Sequence, residues 1–379
     1  MRDDHTSRRA EPRRRHHAVL VVGAGQAGLA VGHALITRGI DVAIFDAHAY
    51  AGQRWSERWD SLTLFTLARY SALPGMPFPG DPWHSPTKDE VAGYLSDYAR
   101  RFTLPIQFNR LVTRLQYLDG HFLATLDGGE RRTARQVVVA TGAFGTPWVP
   151  TLARDLASTI YQIHAEDYRR PRDLPEGPVL VVGDGNTGRQ ISLEMADSRQ
   201  EIHLSQGAAT PSLPQRLLGR NIFWWLEHSG LLRTPATSAI GRRLRARKDV
   251  VIGTRLKTLR RAGVTLHPRA VATNGRSVTF ADSSVLAPAV IVWATGYRHD
   301  DSWIEIPAAT VDGQLPTSAG ITPIPGLYTV GRSWQSNRGS SLLGFVGADA
   351  HKLAAHMLGE RADERRQERL LRPGGGNSR

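Results

Sequence analysis

The chain has 379 residues, 41% hydrophobic and 22% charged, a composition that describes a folded protein of two domains and excludes a disordered one. It contains no cysteine, so disulfides, thiolate metal sites and dithiol redox centres are closed to it. The formal charge of +13 is carried mostly by arginine and lies partly in the terminal segments, which read as a disordered basic tail over 1–17 and a charged tail over 358–379; no motif that reads nucleic acid accompanies it, so no nucleic-acid partner is expected.

Residues 18–22, AVLVV, form an apolar run suited to a strand covered on both faces. Gly23, Gly25 and Gly28 follow in GxGxxG spacing, then a helical stretch stopping at Gly39 and a short strand, VAIFD, ending in Asp46. Each part of this βαβ unit has a task in binding a dinucleotide. Gly23 allows the tight turn, Gly25 lets a pyrophosphate approach the backbone, and Gly28 lets helix pack on strand. The helix N-terminus offers free N–H groups to the phosphates, and Asp46 can accept hydrogen bonds from ribose hydroxyls. The apolar stretch is broken by Gln26 and His33, and the first 17 residues contain no apolar run. Neither a membrane span nor a secretory signal is therefore expected, and a cytoplasmic location is.

Further along, ERRTARQ at 130–136 reads as a hairpin-like excursion before the strand that ends in Ala140-Thr141-Gly142. The glycine pattern then repeats. PVLVV at 178–182 precedes Gly183, Gly185 and Gly188, a helix, and the strand EIHLS, which closes on Ser205-Gln206 where an acid would stand for an unphosphorylated ribose. The missing acid favours NADPH over NADH, with Arg216 and Arg189 as the nearest cations for a 2′-phosphate. A second Ala-Thr-Gly, at 294–296, again ends an apolar strand. Two loops with two such closures imply two dinucleotides. Between them, 208–260 is an arginine- and leucine-rich insertion, with helical stretches expected around 216–230 and 238–250; its Phe223-Trp224-Trp225 reads as a core helix or a substrate wall.

These residues resemble the flavin-containing monooxygenases, nearest to short bacterial flavoproteins and plant YUCCA-type enzymes. The resemblance covers roughly 18–357 and rests on VVGAGQAGLA, FDAHAYAGQRW, LPGMPFPGDPWHSPTKDEVAGYL, VVATG, VVGDGNTG, LPQRLLGRNIFWWL, WATGY and LYTVG…RGSSLLGFVGADA. It implies an α/β fold of two Rossmann-like domains, with an NADPH domain (156–296) inserted into a discontinuous FAD domain (18–155 plus 297–357). It also implies that NADPH reduces FAD, that a C4a-hydroperoxyflavin forms with O₂, and that a small organic substrate is oxygenated at nitrogen, sulfur or a ketone. An NAD(P)H oxidase or reductase, and a non-enzymatic redox-sensing flavoprotein, are the alternatives on this scaffold.

Carried over residue by residue, the resemblance assigns Gly23, Gly25, Gly28, Asp46, Arg54, Trp55 and Val112 to FAD, with Ala140, Thr141 and Gly142 closing that site. Gly331 and the stretch from Arg338 to Leu343, including Leu342, approach the flavin ring. Gly183, Asn186, Thr187, Gly188 and Arg216 are assigned to NADPH. Thr66, His164 and Arg338 are the candidate catalytic residues, and no metal site is expected. The chain departs from the family at Ser158 and Ile160, which replace a phenylalanine and a glycine, and at Asp184, a carboxylate expected to repel the pyrophosphate.

Overall fold

The computed structural model describes residues 15–371 except 199, 208–209 and 247–249. Its first sheet begins with β1 (Arg15–Val22), followed by helix α1 (Gln26–Ile36) and β2 (Val42–Phe45). Helix α2 (Lys88–Arg101) is opened by a capping box in which Thr87 and Glu90 satisfy each other's backbone N–H groups. The strands β3 (Ile106–Gln107), β4 (Val112–Leu118), β5 (His121–Leu126) and β6 (Arg131–Val139) follow. The order is β3-β2-β1-β6-β5-β4, parallel from β3 to β6 and antiparallel beyond.

Chain residues between β6 and the last strand of this sheet build a second, wholly parallel one. It comprises β7 (Tyr161–His164), β8 (Val179–Val182), helix α3 (Asn186–Met195), β9 (Ile202–Ser205), β10 (Thr265–His267) and β11 (Val290–Trp293), in the order β10-β9-β8-β11-β7. Helix α4 (Ile222–His228) lies in the excursion between β9 and β10. The chain then returns to the first sheet, where β12 (Leu327–Thr329) pairs with the end of β6, and finishes in the long helix α5 (Val346–Leu371). A short antiparallel ribbon, Thr146–Pro147 against Tyr297–Arg298, joins the outward and return crossings.

Burial follows the sequence directly. Residues 19–22 of β1 and the strands β2, β8 and β11 are short, mostly aliphatic runs buried on both faces, as crossover-covered parallel strands require, while β9 is equally buried but alternates Ile202 and Leu204 with His203 and Ser205. Trp55 packs against the cores of both units and so sits at their junction. Among the described residues, no helix is long and apolar enough to cross a membrane.

Several expectations need correction. Strand β1 starts at Arg15 and pairs with Arg132 onward, so residues 15–17 belong to the sheet; residues 1–14 lie outside the described chain. The expected charged tail continues α5 to Leu371, and 372–379 lie outside the described residues. ERRTARQ is not an excursion before the strand but leads into and forms the first half of β6 itself, the second arm of an antiparallel hairpin with β5 that pairs on its other side with β1. Its buried positions, Arg132, Ala134 and Gln136, are mostly polar, which hides the strand period. The helix expected from residue 216 starts only at Ile222, because Leu218 and Gly219 both take positive φ and turn Arg216–Asn221 into a tight hairpin.

Candidate active site

The two glycine loops are built alike. A Cβ at Gly23 would lie 2.6 Å from the Ala140 oxygen, and one at Gly183 would lie 2.4 Å from the Ala294 oxygen. Each first glycine therefore touches its own Ala-Thr-Gly, whose alanine N–H bonds back to the loop's strand, Ala140 to Val22 and Ala294 to Val182. A Cβ at Gly28 or Gly188 would fall 1.8 Å from the carbonyl oxygen of the first glycine of its loop. The middle glycines differ in kind: a Cβ at Gly25 or Gly185 meets no protein atom within 4 Å. The fold does not need glycine there. Both face outward at the N-terminus of a helix, α1 and α3 respectively, where free N–H groups suit a phosphate.

Asp46 closes the first loop. One oxygen accepts the Ala24 N–H at 2.5 Å, and the other accepts the backbone N–H and Nδ1 of His48, each at 2.8 Å. Burial alone would raise the Asp46 pKa, but the His48 and Ala24 hydrogen bonds outweigh it and leave it below the ordinary value. The same bond raises His48 above its ordinary value. The His48 contribution is thus complete below about pH 6.5 and fades as pH rises through its elevated pKa; the Asp46 contribution is lost only in strong acid. The melting-temperature gap between wild type and His48→Gln is therefore expected to narrow from pH 6.5 to 8. A gap constant over that window would show that His48 does not carry the charge. Arg110 N bonds to the Asp46 carbonyl, which leads the chain past the acid to Val112, buried in β4.

The C-terminal segment lies over this loop. A Cβ at Gly331 would sit 2.5 Å from Ala27 and 4.0 Å from Val346, so the N-termini of α1 and α5 converge there. Gln26 donates to the Ser341 carbonyl at 2.8 Å and pins the stretch after Arg338 to α1. Arg338 is half-buried on this strap. Leu342 packs with Leu67, Tyr70 and Phe223, and Thr66, buried beside Leu67 in the chain, accepts a hydrogen bond from Ser71 at 2.9 Å.

At the second loop the expected repulsion does not arise. Asp184 is buried, with one oxygen accepting from Gly207 N and Thr210 Oγ1 and the other facing Arg189 at 3.3 Å. Its charge is paired inward, away from the open side of the loop. Arg189 is fully buried and also donates to the carbonyls of Asp184, Thr210 and Thr254, so it is not available to a 2′-phosphate. Ser205 is turned to Pro268 and Ala270, leaving no carboxylate at the end of β9. Arg216 lies exposed on the hairpin, with a guanidinium contact to Gly219 O. Asn186 Oδ1 accepts the Ile252 N–H, which brings a segment 66 residues away against the loop, and the exposed Arg255 follows shortly after it. Sequence spacing carried no sign of that contact. Thr187 stands half-buried in the first turn of α3.

His164 ends β7. Glu166 N donates to its Nδ1, so the proton sits on Nε2 and is donated to Gly296 O at 3.2 Å. Burial lowers its pKa, and the ring stays neutral at physiological pH. It packs edge-on against Tyr297, whose hydroxyl accepts from Arg58. Arg58 also lies over the Phe144 ring, and Arg54 pairs with Glu166 across the junction. Arg58 escaped the sequence reading because its partners lie 239 and fewer residues away on other segments. His164 therefore couples the second Ala-Thr-Gly to β7, while Thr66 and Leu342 belong to a separate apolar wall.

Comparison with known proteins agrees with this geometry. Residues 20–213 match the model of the pyridine nucleotide-disulphide oxidoreductase family. The chain is 43% identical over 342 residues to an uncharacterized CzcO-like oxidoreductase of Geobacillus kaustophilus, covering 90% of this chain and 98% of that one. It is 28% identical to the indole-3-pyruvate monooxygenase YUCCA1 of Oryza sativa, covering 85% and 88% respectively. In structure it is similar to a flavin-containing monooxygenase from Stenotrophomonas maltophilia, with a TM-score of 0.76, 24% identity, and coverage of 91% and 99%. The paired loops, the two parallel sheets and these relatives lead to one conclusion: the chain is an oxidoreductase of the pyridine nucleotide-disulphide oxidoreductase family, with the fold of the flavin-containing monooxygenases.

Proposed function

We propose that the chain is an NADPH-dependent flavin monooxygenase that oxygenates a small organic molecule with O₂, with FAD at the loop of Gly23–Gly28 and NADPH at the loop of Gly183–Gly188. The observation that supports this most is the pair of exposed middle glycines, each at a helix N-terminus and each backed by its own Ala-Thr-Gly. Held at the loop of Gly23–Gly28, FAD would supply the redox chemistry, with NADPH as the reductant and O₂ as the source of the oxygen atom added at nitrogen, sulfur or a ketone, the second oxygen leaving as water.

The chain's residues supply position and dryness. Asp46 holds the first loop closed through Ala24, and Gln26 ties the strap after Arg338 to α1. The wall of Phe65, Leu67, Phe223, Leu342 and Phe345 keeps water from the reacting region, with the Thr66 hydroxyl beside it. His164 serves as a positioning residue, holding the Gly296 carbonyl with a fixed tautomer. The inward pairing of Asp184 with Arg189 removes one reason for reading the protein as a mere oxidase. The NADPH assignment follows from the carboxylate-free end of β9.

Aerobic turnover with NADPH, isotopically labelled O₂ and a panel of amines, thioethers, ketones and aromatic 2-oxo acids tests the proposal. Indole-3-pyruvate belongs in the panel because a YUCCA relative bears its name. Label in a product, in proportion to NADPH consumed, is expected. Hydrogen peroxide equal to NADPH with every compound would make the protein an oxidase instead.

A further inference from the structure

The hairpin Arg216–Asn221 ends in a two-residue turn whose members, Leu218 and Gly219, have φ of 50° and 77°. Such turns favour Asn-Gly, because a left-handed backbone is strained for a branched side chain. Leu218 is nevertheless there, and 81% of it is exposed. Leucine at this point serves neither the turn nor the core. Leu217 beside it is 42% exposed.

The hairpin is braced from behind rather than dangling. Trp225 Nε1 donates to the Leu217 carbonyl at 3.0 Å, and the Arg220 guanidinium lies 4.4 Å from the centre of the Trp224 ring. Gln215 donates to the Phe65 carbonyl and Phe223 stacks on Phe65, so the base of the hairpin grips the apolar wall of the active site. Residues 202–248, which contain it, hold seven arginines and one lysine against a single acid, Glu227.

We propose that this hairpin and the start of α4 form a docking site for an anionic lipid bilayer, with Leu217 and Leu218 entering the acyl boundary and Arg216 and Arg220 meeting the headgroups. A half-exposed tryptophan under an arginine, Trp224 beneath Arg220, suits the interfacial zone, where an amphipathic ring has one apolar and one wet side. The charge argues against a second copy as the occupant. A twofold contact through this patch would set Arg216 and Arg220 against themselves. With no spanning helix among the described residues, the attachment is peripheral. This inference does not depend on the oxygenation chemistry.

Sedimentation of the full-length flavin-loaded chain with phosphatidylglycerol-rich and pure phosphatidylcholine vesicles tests it. Binding to the anionic vesicles alone, weakened by high salt, is expected. Leu218→Asp is expected to lower the partition coefficient about tenfold, as loss of a buried leucine side chain does. Arg216→Gln with Arg220→Gln is expected to lower it about thirtyfold, at roughly 1 kcal/mol per arginine near an anionic surface. Leu218→Asn separates binding from folding, because it should raise the melting temperature by easing the turn while still lowering binding. Four results would overturn the proposal. They are a chain that stays in solution with both vesicles, binding that the Leu218 variants leave unchanged, a Leu218→Asn variant that melts lower, and a dimer in light scattering that Leu218→Asp splits.

Discussion

Gly185→Ala is expected to fold, keep its flavin and lose reduction by NADPH, whereas Gly25→Ala is expected to fold and lose the flavin itself. Both glycines have extended backbones that alanine adopts freely, at φ −70° and ψ −175° for Gly25 and φ −73° and ψ −174° for Gly185. Neither added methyl meets a protein atom within 4 Å, so the apoprotein should melt near the wild type. The methyl instead fills the space in which a pyrophosphate reaches the helix N–H groups. Hydrogen bonds to a charged group are worth about 1.5–3 kcal/mol, so each change should weaken its own dinucleotide roughly ten- to a hundredfold. Gly28→Ala and Gly188→Ala provide the contrast, because a Cβ 1.8 Å from a backbone carbonyl must disrupt helix–strand packing. Those variants should fail to fold whether or not cofactor is supplied. If Gly185→Ala is reduced by NADPH like the wild type, the nucleotide does not lie on that loop.

Asp301→Ala is expected to fold but with a large loss of stability. Asp301 and Arg332 are both buried and joined by two parallel hydrogen bonds, at 2.6 and 2.9 Å, and Asp301 also accepts the Leu315 N–H at 2.7 Å. Removing the carboxylate leaves a guanidinium buried without its counter-charge, a change that costs about 3–5 kcal/mol. Because Arg332 follows Gly331, whose Cα lies against Ala27 of α1, the damage should extend to the first loop, and flavin retention should fall together with stability. Replacing both partners, Asp301→Leu with Arg332→Met, should cost less than either single change, since no unpaired charge remains. Chemical denaturation of the four proteins checks this. A single variant within about 1 kcal/mol of wild type would show that the pair is solvated and not structural.

Much of the scaffold was legible because its signals are local. Five-residue apolar runs ended by glycine mark β1 and β8, and the fixed glycine spacing marks the two helix starts, since the third glycine of each loop packs on the carbonyl of the first, only a few residues before it. The closures at Ala140 and Ala294 were equally plain, as apolar strands ending in the same tripeptide. What stayed hidden depends on partners distant in sequence. Asp184 looked repulsive to phosphate because its neutralising contacts come from α3 and from Gly207 and Thr210 on a separate loop. The Asp301–Arg332 pair spans 31 residues and leaves no periodic trace. In β6, polar side chains at the buried positions Arg132 and Gln136 masked the alternation by which a strand is recognised. Thr66, His164 and Arg338 show the same limit, because their types were readable but their surroundings were not.

The most direct test of the central claim, that two loops hold two different dinucleotides, is the visible spectrum of the purified protein during anaerobic titration with NADPH. In the wild type a flavin band is expected to be present on purification and to bleach stoichiometrically with NADPH. In Gly185→Ala the band should persist at the same titrant concentrations. A yellow wild-type protein that NADPH cannot bleach would contradict the assignment of the second loop.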